Sequence, residues 1–390
     1  MSSAETMPRD AAEREPTIAA VMGDREPAEQ IAALAAELAA RNRQLAALEA
    51  ATGEQIKGLT EALWAIRDST IWRAMGPVRA IGSRLPEPAR IALRRLARSV
   101  YWATNPTLTR SRKRWFTYDT SDRQTSRRLE ALSAEIRAHR LGMPLRRAYG
   151  DTAVEGLDIY PTSQRNAPVF VFIHGGGGWR WEEAKESAFP AEMFVAAGAH
   201  FVVPDFVGIM ESGGNLALKA EQVRRSIAWV YRNAASFGGD PERIFVGGHS
   251  SGGHLAGVAL VTDWQKDFAL PADLIKGGLL MSGLFEMKPV RAAPFSVHIK
   301  FTDESEDAMS PQRHLDLLKA PLIITYGTGD SPEFQQQSED FFAALQKAGK
   351  PAELIAAPHF GHMEVAESLA SPFGLNGRAA LRLMGLSPGA

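Results

Sequence analysis

The chain has 390 residues, of which 45% are hydrophobic and 23% charged, an ordinary composition for a globular protein with one large domain or two smaller ones. Its formal net charge of -1 excludes binding to nucleic acid through overall basicity, so any such tendency must be local. The absence of cysteine excludes disulfides, thiolate metal ligands and cysteine nucleophiles.

The N-terminal end is typical of a disordered tail. Residues 1–25 are rich in alanine, glutamate, proline and arginine and show no periodicity. They lack the apolar core of a secretory signal, and no later stretch approaches the roughly 18 consecutive apolar residues of a membrane span. We therefore expect a cytoplasmic protein.

Residues 26–68 predict a coiled-coil helix. Apolar residues recur at intervals of three, four, seven and eleven in a background of alanine, glutamate, glutamine and arginine: Ile31, Leu34, Leu38, Leu45, Leu48, Leu59, Leu63 and Ile66. Such a seam favours a homo-oligomer formed through this helix. The alternative is a single amphipathic helix packed on the protein's own domain.

The next segment, residues 69–115, predicts a basic amphipathic helix. Between Trp72 and Trp115 there are eleven lysines and arginines against one acid, Glu87, a net charge of +10. Basic residues beside interfacial aromatics suit an anionic membrane surface, which would place the protein peripherally at the inner membrane face, or an acidic partner. The alternative is a helix that covers an acidic face of this same protein. We expect no nucleic-acid binding, because no known fold signature accompanies the charge.

Residues 116–390 predict an α/β domain. A polar helix over 126–139 precedes five short apolar runs that are typical of strands covered on both faces: residues 169–173, 200–206, 244–248, 277–283 and 321–327. Helical patterns separate them over 188–197, 217–237, 254–263 and 333–347. This alternation favours a mostly parallel sheet with helices on both faces, whose chemistry lies at the carboxyl ends of the strands.

One strand-to-helix turn carries the strongest catalytic motif. Gly248-His249-Ser250-Ser251-Gly252 has the form G-x-S-x-G between a predicted strand and a predicted helix. Glycines on both sides allow the sharp turn that exposes the central serine, and the following helix supplies N–H groups and a positive dipole. The pattern predicts Ser250 as a nucleophile. We interpret His249 and His254 as packing or hydrogen-bonding residues of this turn.

A second loop predicts an oxyanion hole. The run His174-Gly175-Gly176-Gly177-Gly178 directly follows a strand, so its backbone can turn N–H groups toward a substrate. We expect the amides of Gly176, Gly177 and Ser251 to bind the oxyanion that forms when a serine attacks a carbonyl. Trp179 follows this loop and is predicted to contact the substrate.

The acid and the base should follow the serine along the chain. Asp330 comes directly after the strand that ends at Gly327, with Glu333 as a weaker candidate. For the base we favour His362, which precedes a predicted helix, over His359. These two histidines lack an evident third ligand, so no metal site is predicted.

Several motifs together resemble the arylformamidase-like α/β-hydrolases and the related hormone-sensitive-lipase-like carboxylesterases. They are HGGGGW, GHSSGG, SGLFEMKPVR, SPEFQQQSEDF and GHMEVAESL, in that order within residues 116–388. The resemblance implies an α/β-hydrolase fold with Ser250 as nucleophile, Asp330 as acid and His362 as base. The chain departs from the usual pattern by an extra glycine before Trp179 and by Met363 in place of an aromatic residue.

We therefore predict a serine carboxylesterase that hydrolyses a small-molecule ester of a small acyl group without a cofactor. Two alternatives remain. One is an amide hydrolase of the arylformamidase type. The other is a catalytically idle hydrolase fold that serves as a docking module for the coiled coil and the basic helix.

Overall fold

The computed structural model describes residues 120–177, 179 and 183–387. The predicted disordered tail (1–25), coiled coil (26–68) and basic helix (69–115) lie outside the described residues, and they stay predictions. Within the described residues, no helix is both long enough and apolar enough to cross a membrane.

The centre of the fold is a mixed sheet of eight strands in the order β1-β2-β4-β3-β5-β6-β7-β8. The first two junctions, β1 with β2 and β2 with β4, are antiparallel, and all the others are parallel. The strands are β1 (Leu145–Ala148), β2 (Gly156–Tyr160), β3 (Ala167–Ile173), β4 (His200–Pro204), β5 (Gly239–His249), β6 (Ile275–Met281), β7 (Leu322–Gly327) and β8 (Ala352–Ala357).

The helices are α1 (Thr120–Glu135), α2 (Ala191–Ala196), α3 (Leu216–Asn233), α4 (Ser251–Leu260), α5 (Trp264–Phe268), α6 (Met287–Arg291), α7 (Asp303–Ala308), α8 (Pro332–Lys347), α9 (His362–Glu367) and α10 (Leu375–Met384). A π-helical turn, Ile136–Arg140, extends α1. Short 3₁₀ turns at Ala184–Ser187 and Ala234–Phe237 precede α2 and follow α3.

Both faces of the sheet are buried, because successive side chains of a strand point to opposite faces. In β3, whose seven residues are all buried, Val169, Val171 and Ile173 belong to one core cluster, whereas Phe170 and Phe172 belong to the other. The first cluster includes residues of α3, α4 and α8, and the second includes residues of α1, α2, α9 and α10. The predicted α/β architecture, a mostly parallel sheet with helices on both faces, is therefore confirmed.

The element boundaries differ from the predicted ones in physically simple ways. The helix predicted from His254 begins at Ser251, because the two glycines at 252 and 253 take helical conformation inside a buried turn. The predicted helix at 126–139 begins at Thr120 and passes into the π-helical turn. The sequence does not predict strands β1, β2 and β8. Strand β1 is exposed along its length and β8 is only partly buried, so neither shows a continuous apolar run, and the buried β2 is interrupted by Asp158.

Candidate active site

The turn between β5 and α4 holds Ser250 in a strained backbone conformation. Its φ of 58° and ψ of -125° lie in a region that side chains other than glycine rarely adopt. The Ser250 amide donates to the Met281 carbonyl at the end of β6, 2.9 Å away. Because α4 begins at the next residue, the strand-turn-helix geometry presents Ser250 at the carboxyl edge of the sheet, where it is partly accessible.

Glycines make this turn sterically feasible. A Cβ at Gly248 would overlap the carbonyl of Gly252, and a Cβ at Gly252 would overlap the carbonyl oxygens of Ile173 and His174. The backbone of the turn therefore packs directly on the start of the glycine-rich loop that follows β3. The G-x-S-x-G spacing thus reflects two close backbone contacts, one within the turn and one with the loop.

The glycine-rich loop meets this turn at Gly176 and Ser251. The hydroxyl of Ser251 donates to the Gly176 carbonyl, 3.4 Å away, and Gly176 has a φ of 124° that favours glycine. Gly177 is exposed, and no atom lies within 4 Å of the point where a Cβ would stand. At the base of the loop, the His174 ring stacks on Phe206, with 4.2 Å between centroids. Burial lowers the pKa of His174 to about 3, so it is neutral.

Trp179, which the sequence predicts to contact the substrate, lies in the protein interior. It is 0% exposed, and its indole N–H donates to Nδ1 of His254, 3.0 Å away. The His254 ring is buried in α4 and its Nε2 lies 2.8 Å from the Met309 carbonyl. Trp179 is therefore part of the support beneath the loop. Its indole needs a buried polar partner, and the structure satisfies it from the helix that follows Ser250.

The main chain of Trp179 is held as firmly as its side chain. Its carbonyl accepts from the amide of Ile209 and from Nζ of the buried Lys219, each at 2.9 Å. The Trp179 backbone has a φ of 63°, the left-handed region in which a non-glycine residue is strained. These contacts fix the far end of the glycine-rich loop.

Asp330 and His362 face each other across two loops at the carboxyl edge of the sheet. Nδ1 of His362 lies 2.9 Å from Oδ2 and 3.0 Å from Oδ1 of Asp330. Their loops are joined by main-chain contacts: the Gly329 amide donates to the Phe360 carbonyl at 2.9 Å. Because a carboxylate only accepts, His362 carries its proton on Nδ1, and Nε2 is left able to accept one.

The electrostatics of this pair keep Asp330 charged. Burial alone would raise the pKa of Asp330, but His362 and the donors around the carboxylate, including the Ser331 amide at 2.7 Å, hold it below its ordinary value. Burial alone would lower the pKa of His362, yet the charge and hydrogen bond of Asp330, with a further contribution from Asp122, raise it. An imidazole oriented and made more basic by a buried carboxylate can act as a general base.

His249 connects this pair with the serine turn. The residue immediately before Ser250, it places its ring 4.5 Å from the ring of His362, and its Nε2 lies 2.9 Å from the His362 carbonyl. Burial lowers the pKa of His249 to about 3, and the neighbouring His362 acts in the same direction. His249 is therefore a neutral hydrogen-bond donor that joins the start of α9 to the residue before Ser250.

The weaker candidates lie elsewhere. His359 is exposed, with a φ of 67°, and its amide donates to Thr328 Oγ1 at 2.8 Å. Glu333 is buried in the first turn of α8. Sequence reasoning missed Asp122, which lies 241 residues from its partner Met363 and has no neighbouring motif to mark it. Among the described residues, no group of three or more histidines, aspartates or glutamates is arranged to hold a metal ion.

Comparisons with known proteins agree with this geometry. Residues 157–277 match the BD-FAE family model. Kynurenine formamidase of Danio rerio is 31% identical over 246 residues, an alignment that covers 61% of this chain and 81% of the relative. The chain belongs to the kynurenine formamidase-like α/β-hydrolases.

Other relatives of this formamidase-like chain are esterases. Isoprenylcysteine α-carbonyl methylesterase of Arabidopsis thaliana is 27% identical over 232 residues, 53% of this chain and 53% of that protein. The solved structure of an esterase from Thermogutta terrifontis with bound propionate covers 65% of this chain and 99% of its own, with a TM-score of 0.54 and 21% identity. The structural likeness shows the fold, and the sequence relatives identify the protein as a hydrolase.

Proposed function

We propose that the protein is a serine carboxylesterase that uses Ser250, His362 and Asp330 as a catalytic triad and passes through an acyl-enzyme. The observation that carries this proposal is the hydrogen bond between Asp330 and Nδ1 of His362, made beside the strained turn that presents Ser250. A serine hydroxyl is a weak nucleophile until a base takes its proton, and an imidazole held by a carboxylate is suited to that task.

In the proposed acylation, Nε2 of His362 takes the proton of Ser250 while Oγ attacks the carbonyl carbon of the ester. The amides of Gly176, Gly177 and Ser251 stabilise the tetrahedral oxyanion; loss of one such donor typically costs about 10²–10³ in rate. The carbon–oxygen bond to the alcohol then breaks, and His362 returns its proton to the leaving alkoxide. Asp330 stays ionised throughout and stabilises the transient imidazolium.

Deacylation repeats these steps with water. His362 takes a proton from a water molecule as the water oxygen attacks the acyl-enzyme carbonyl, and the same amides stabilise the second oxyanion. Collapse of this intermediate releases the carboxylic acid and returns the proton to Ser250 Oγ. The low pKa of His249 keeps a second positive charge away from the imidazolium of His362 in both steps.

A second candidate function is hydrolysis of an aryl formamide. The relationship to the Danio rerio kynurenine formamidase, which spans 81% of that protein, favours it. The same triad would serve, except that His362 must protonate an amine leaving group. The two candidates are separated by comparing kcat/KM for N-formylkynurenine with that for p-nitrophenyl acetate and butyrate.

The first experiment is labelling with a fluorophosphonate probe, which reacts with activated serines. We expect the wild-type protein to be labelled and to hydrolyse the p-nitrophenyl esters, and Ser250→Ala to lose both properties while it keeps its circular dichroism spectrum. No labelling of a folded wild-type protein would overturn the hydrolytic mechanism. That outcome would instead favour an idle docking module.

The N-terminal segments support two further proposals by their sequence alone. We propose that residues 26–68 join copies of the chain, which light scattering of the full chain and of a chain lacking 1–68 would test. We also propose that the +10 segment between Trp72 and Trp115 binds an anionic membrane surface at the cytoplasmic face. Co-sedimentation with vesicles containing phosphatidylserine, against purely phosphatidylcholine vesicles, tests this proposal.

A further inference from the structure

We propose that Asp122 is a positioning residue for the base: its carboxylate caps the helix that begins at His362 and holds that histidine against Asp330. Oδ1 of Asp122 accepts a hydrogen bond from the amide of Met363, 3.0 Å away, and Asp122 is only 5% exposed. This inference rests on the function proposed above, since it assigns a role in the work of His362.

The start of α9 needs such a partner. The first amides of a helix have no partner within the helix, and α9 has only six residues. Glu364 satisfies the amide of Gly361 from within the same turn, at 2.7 Å. Asp122 satisfies the amide of Met363 from a different helix. Two carboxylates thus lie at the positive end of α9, and they accept from the amides of Gly361 and Met363, the two residues that flank His362.

Gly361 leaves room for the close approach of Asp122. A Cβ at Gly361 would lie 3.2 Å from Oδ1 of Asp122, closer than side chains normally tolerate. The absence of a side chain at this position lets the carboxylate come close to the turn that precedes His362. The glycine therefore has a steric reason in the tertiary structure as well as in the cap.

A second contact holds α1 along α9. Nε and Nη2 of Arg128 donate to the two carboxylate oxygens of Glu367, each at 3.0 Å, at the last residue of α9. In addition, Leu129 of α1 and Val365 of α9 belong to the same core cluster. The helix α1 is thus fixed to both ends of the helix that carries His362.

The position of His362 depends on the contacts of α1 with α9, because three hydrogen bonds hold His362 and the amide that follows it. Its side chain donates to Asp330, its carbonyl accepts from His249, and the next amide along the chain donates to Asp122. The carboxylates of Asp330 and Asp122 act on the charge of the His362 ring, the neutral His249 ring lies 4.5 Å from it, and Glu364 lies on the same helix. Burial lowers the pKa of His362, whereas Asp330 and then Asp122 raise it.

The test compares Asp122→Asn with Asp122→Ala in the full-length protein. Asn keeps an acceptor oxygen for the Met363 amide but removes the charge, whereas Ala removes both. We expect Asp122→Asn to shift the acidic limb of kcat/KM for p-nitrophenyl acetate to lower pH by about half a unit. The reason is that a nearby carboxylate raises the pKa of the imidazolium, and Asn removes that charge. We expect Asp122→Ala to lower kcat roughly tenfold with little change in KM, because a misaligned base slows chemistry rather than binding.

Two control variants keep this inference separate from others. Asp151→Asn makes the same change of charge at an exposed residue, and Arg128→Gln breaks the other contact between α1 and α9 without touching the cap. Neither variant should shift the acidic limb of kcat/KM to lower pH. If Asp122→Asn keeps the wild-type pH profile and Asp122→Ala keeps kcat within twofold, the inference is overturned while the esterase mechanism stands. If the fluorophosphonate probe does not label the folded wild-type protein, the proposed mechanism itself is overturned.

Discussion

The indole N–H of Trp179 donates to Nδ1 of His254 at 3.0 Å, and this bond joins the end of the glycine-rich loop to the helix that starts one residue after Ser250. An indole can only donate, so Nδ1 of His254 must be unprotonated. The His254 proton then lies on Nε2, which donates to the Met309 carbonyl at 2.8 Å. Burial lowers the pKa of His254 to about 4, which favours this neutral form.

Trp179→Phe should therefore impair catalysis without emptying the core. A smaller aromatic ring replaces the indole, the N–H donor is lost, and the buried Nδ1 of His254 is left without this partner at a cost of about 1–3 kcal/mol. We expect a lower melting temperature and a kcat reduced roughly ten- to hundredfold, since small displacements of oxyanion donors are costly. Steady-state kinetics and thermal denaturation of the variant measure both effects.

A double-mutant cycle separates this contact from simple loss of packing. Trp179→Phe, His254→Leu and their combination should show a coupling of about 0.5–3 kcal/mol in the free energy of unfolding, as residues in direct contact do. Additive effects would contradict the hydrogen bond as the source of the loss.

Acid should weaken the fold through three fully buried histidines. The pKa values of His174 and His249 are lowered to about 3 and that of His254 to about 4, in each case mainly by burial. A histidine in the unfolded chain takes up its proton near pH 6.5, so between pH 6.5 and 4 the unfolded state binds more protons. The stability that these groups contribute is present above pH 6.5 and is lost as the pH falls, by about 1.4 kcal/mol per pH unit for each group.

The catalytic pair does not offset this loss. The pKa of His362 is raised, so its contribution is complete below pH 6.5 and disappears only as the pH rises through its folded value. The pKa of Asp330 is lowered below 3.8, so its contribution persists down to that range.

Urea unfolding at pH 7.5, 6 and 5 measures the slope of the free energy of unfolding against pH. His254→Gln, which can still accept from Trp179 and donate to Met309, should reduce the slope by about one proton; an unchanged slope would argue against a neutral buried His254.

Local patterns predict local geometry well in this chain. The turn around Ser250 follows from its own five residues, since the strand, the glycines and the following helix are all contiguous. The doubly covered strands are equally visible, because burial on both faces leaves a continuous apolar run such as that of β3. The edge strands β1 and β8 are less buried and lack that run, so the sequence alone does not predict them.

Contacts between distant segments could not be predicted in the same way. The environment of Trp179 depends on His254 and Lys219, so the sequence does not distinguish a side chain exposed to substrate from one buried beneath the loop. An aromatic residue after a glycine-rich loop suits either role. Asp122 lies in a polar helix with ordinary composition, and only the tertiary structure brings its carboxylate to the helix that starts at His362.

Asp330→Asn should reduce kcat by about 10⁴ with the fold intact, because an amide can stabilise the wrong tautomer of His362 and cannot stabilise its imidazolium. The acidic limb of the pH profile should also move downward as the raised pKa of His362 falls. Pre-steady-state and steady-state hydrolysis of p-nitrophenyl acetate measure these effects.

The matched control for this prediction is Glu333→Gln. Glu333 is three residues away and buried in the first turn of α8, but it is the carboxylate of Asp330 that accepts from Nδ1 of His362. We expect kcat of Glu333→Gln to stay within a few-fold of wild type. A loss as large as that of Asp330→Asn would transfer the role of the acid to Glu333.

Gly252→Ala and Gly177→Ala test how tightly the serine turn and the glycine-rich loop are packed. At Gly252 a methyl group would overlap the main-chain carbonyl oxygens of Ile173 and His174, which cannot move without disturbing β3. At Gly177 nothing lies within 4 Å of the added methyl group.

We expect Gly252→Ala to lose at least about 3 kcal/mol of stability, at the upper end of overpacking costs, together with probe labelling of Ser250. Gly177→Ala should keep the melting temperature within a few degrees of wild type, as expected for a change of roughly 0.5 kcal/mol or less. Equal melting temperatures for the two variants would contradict the close packing of Gly252 on the carbonyl groups of Ile173 and His174.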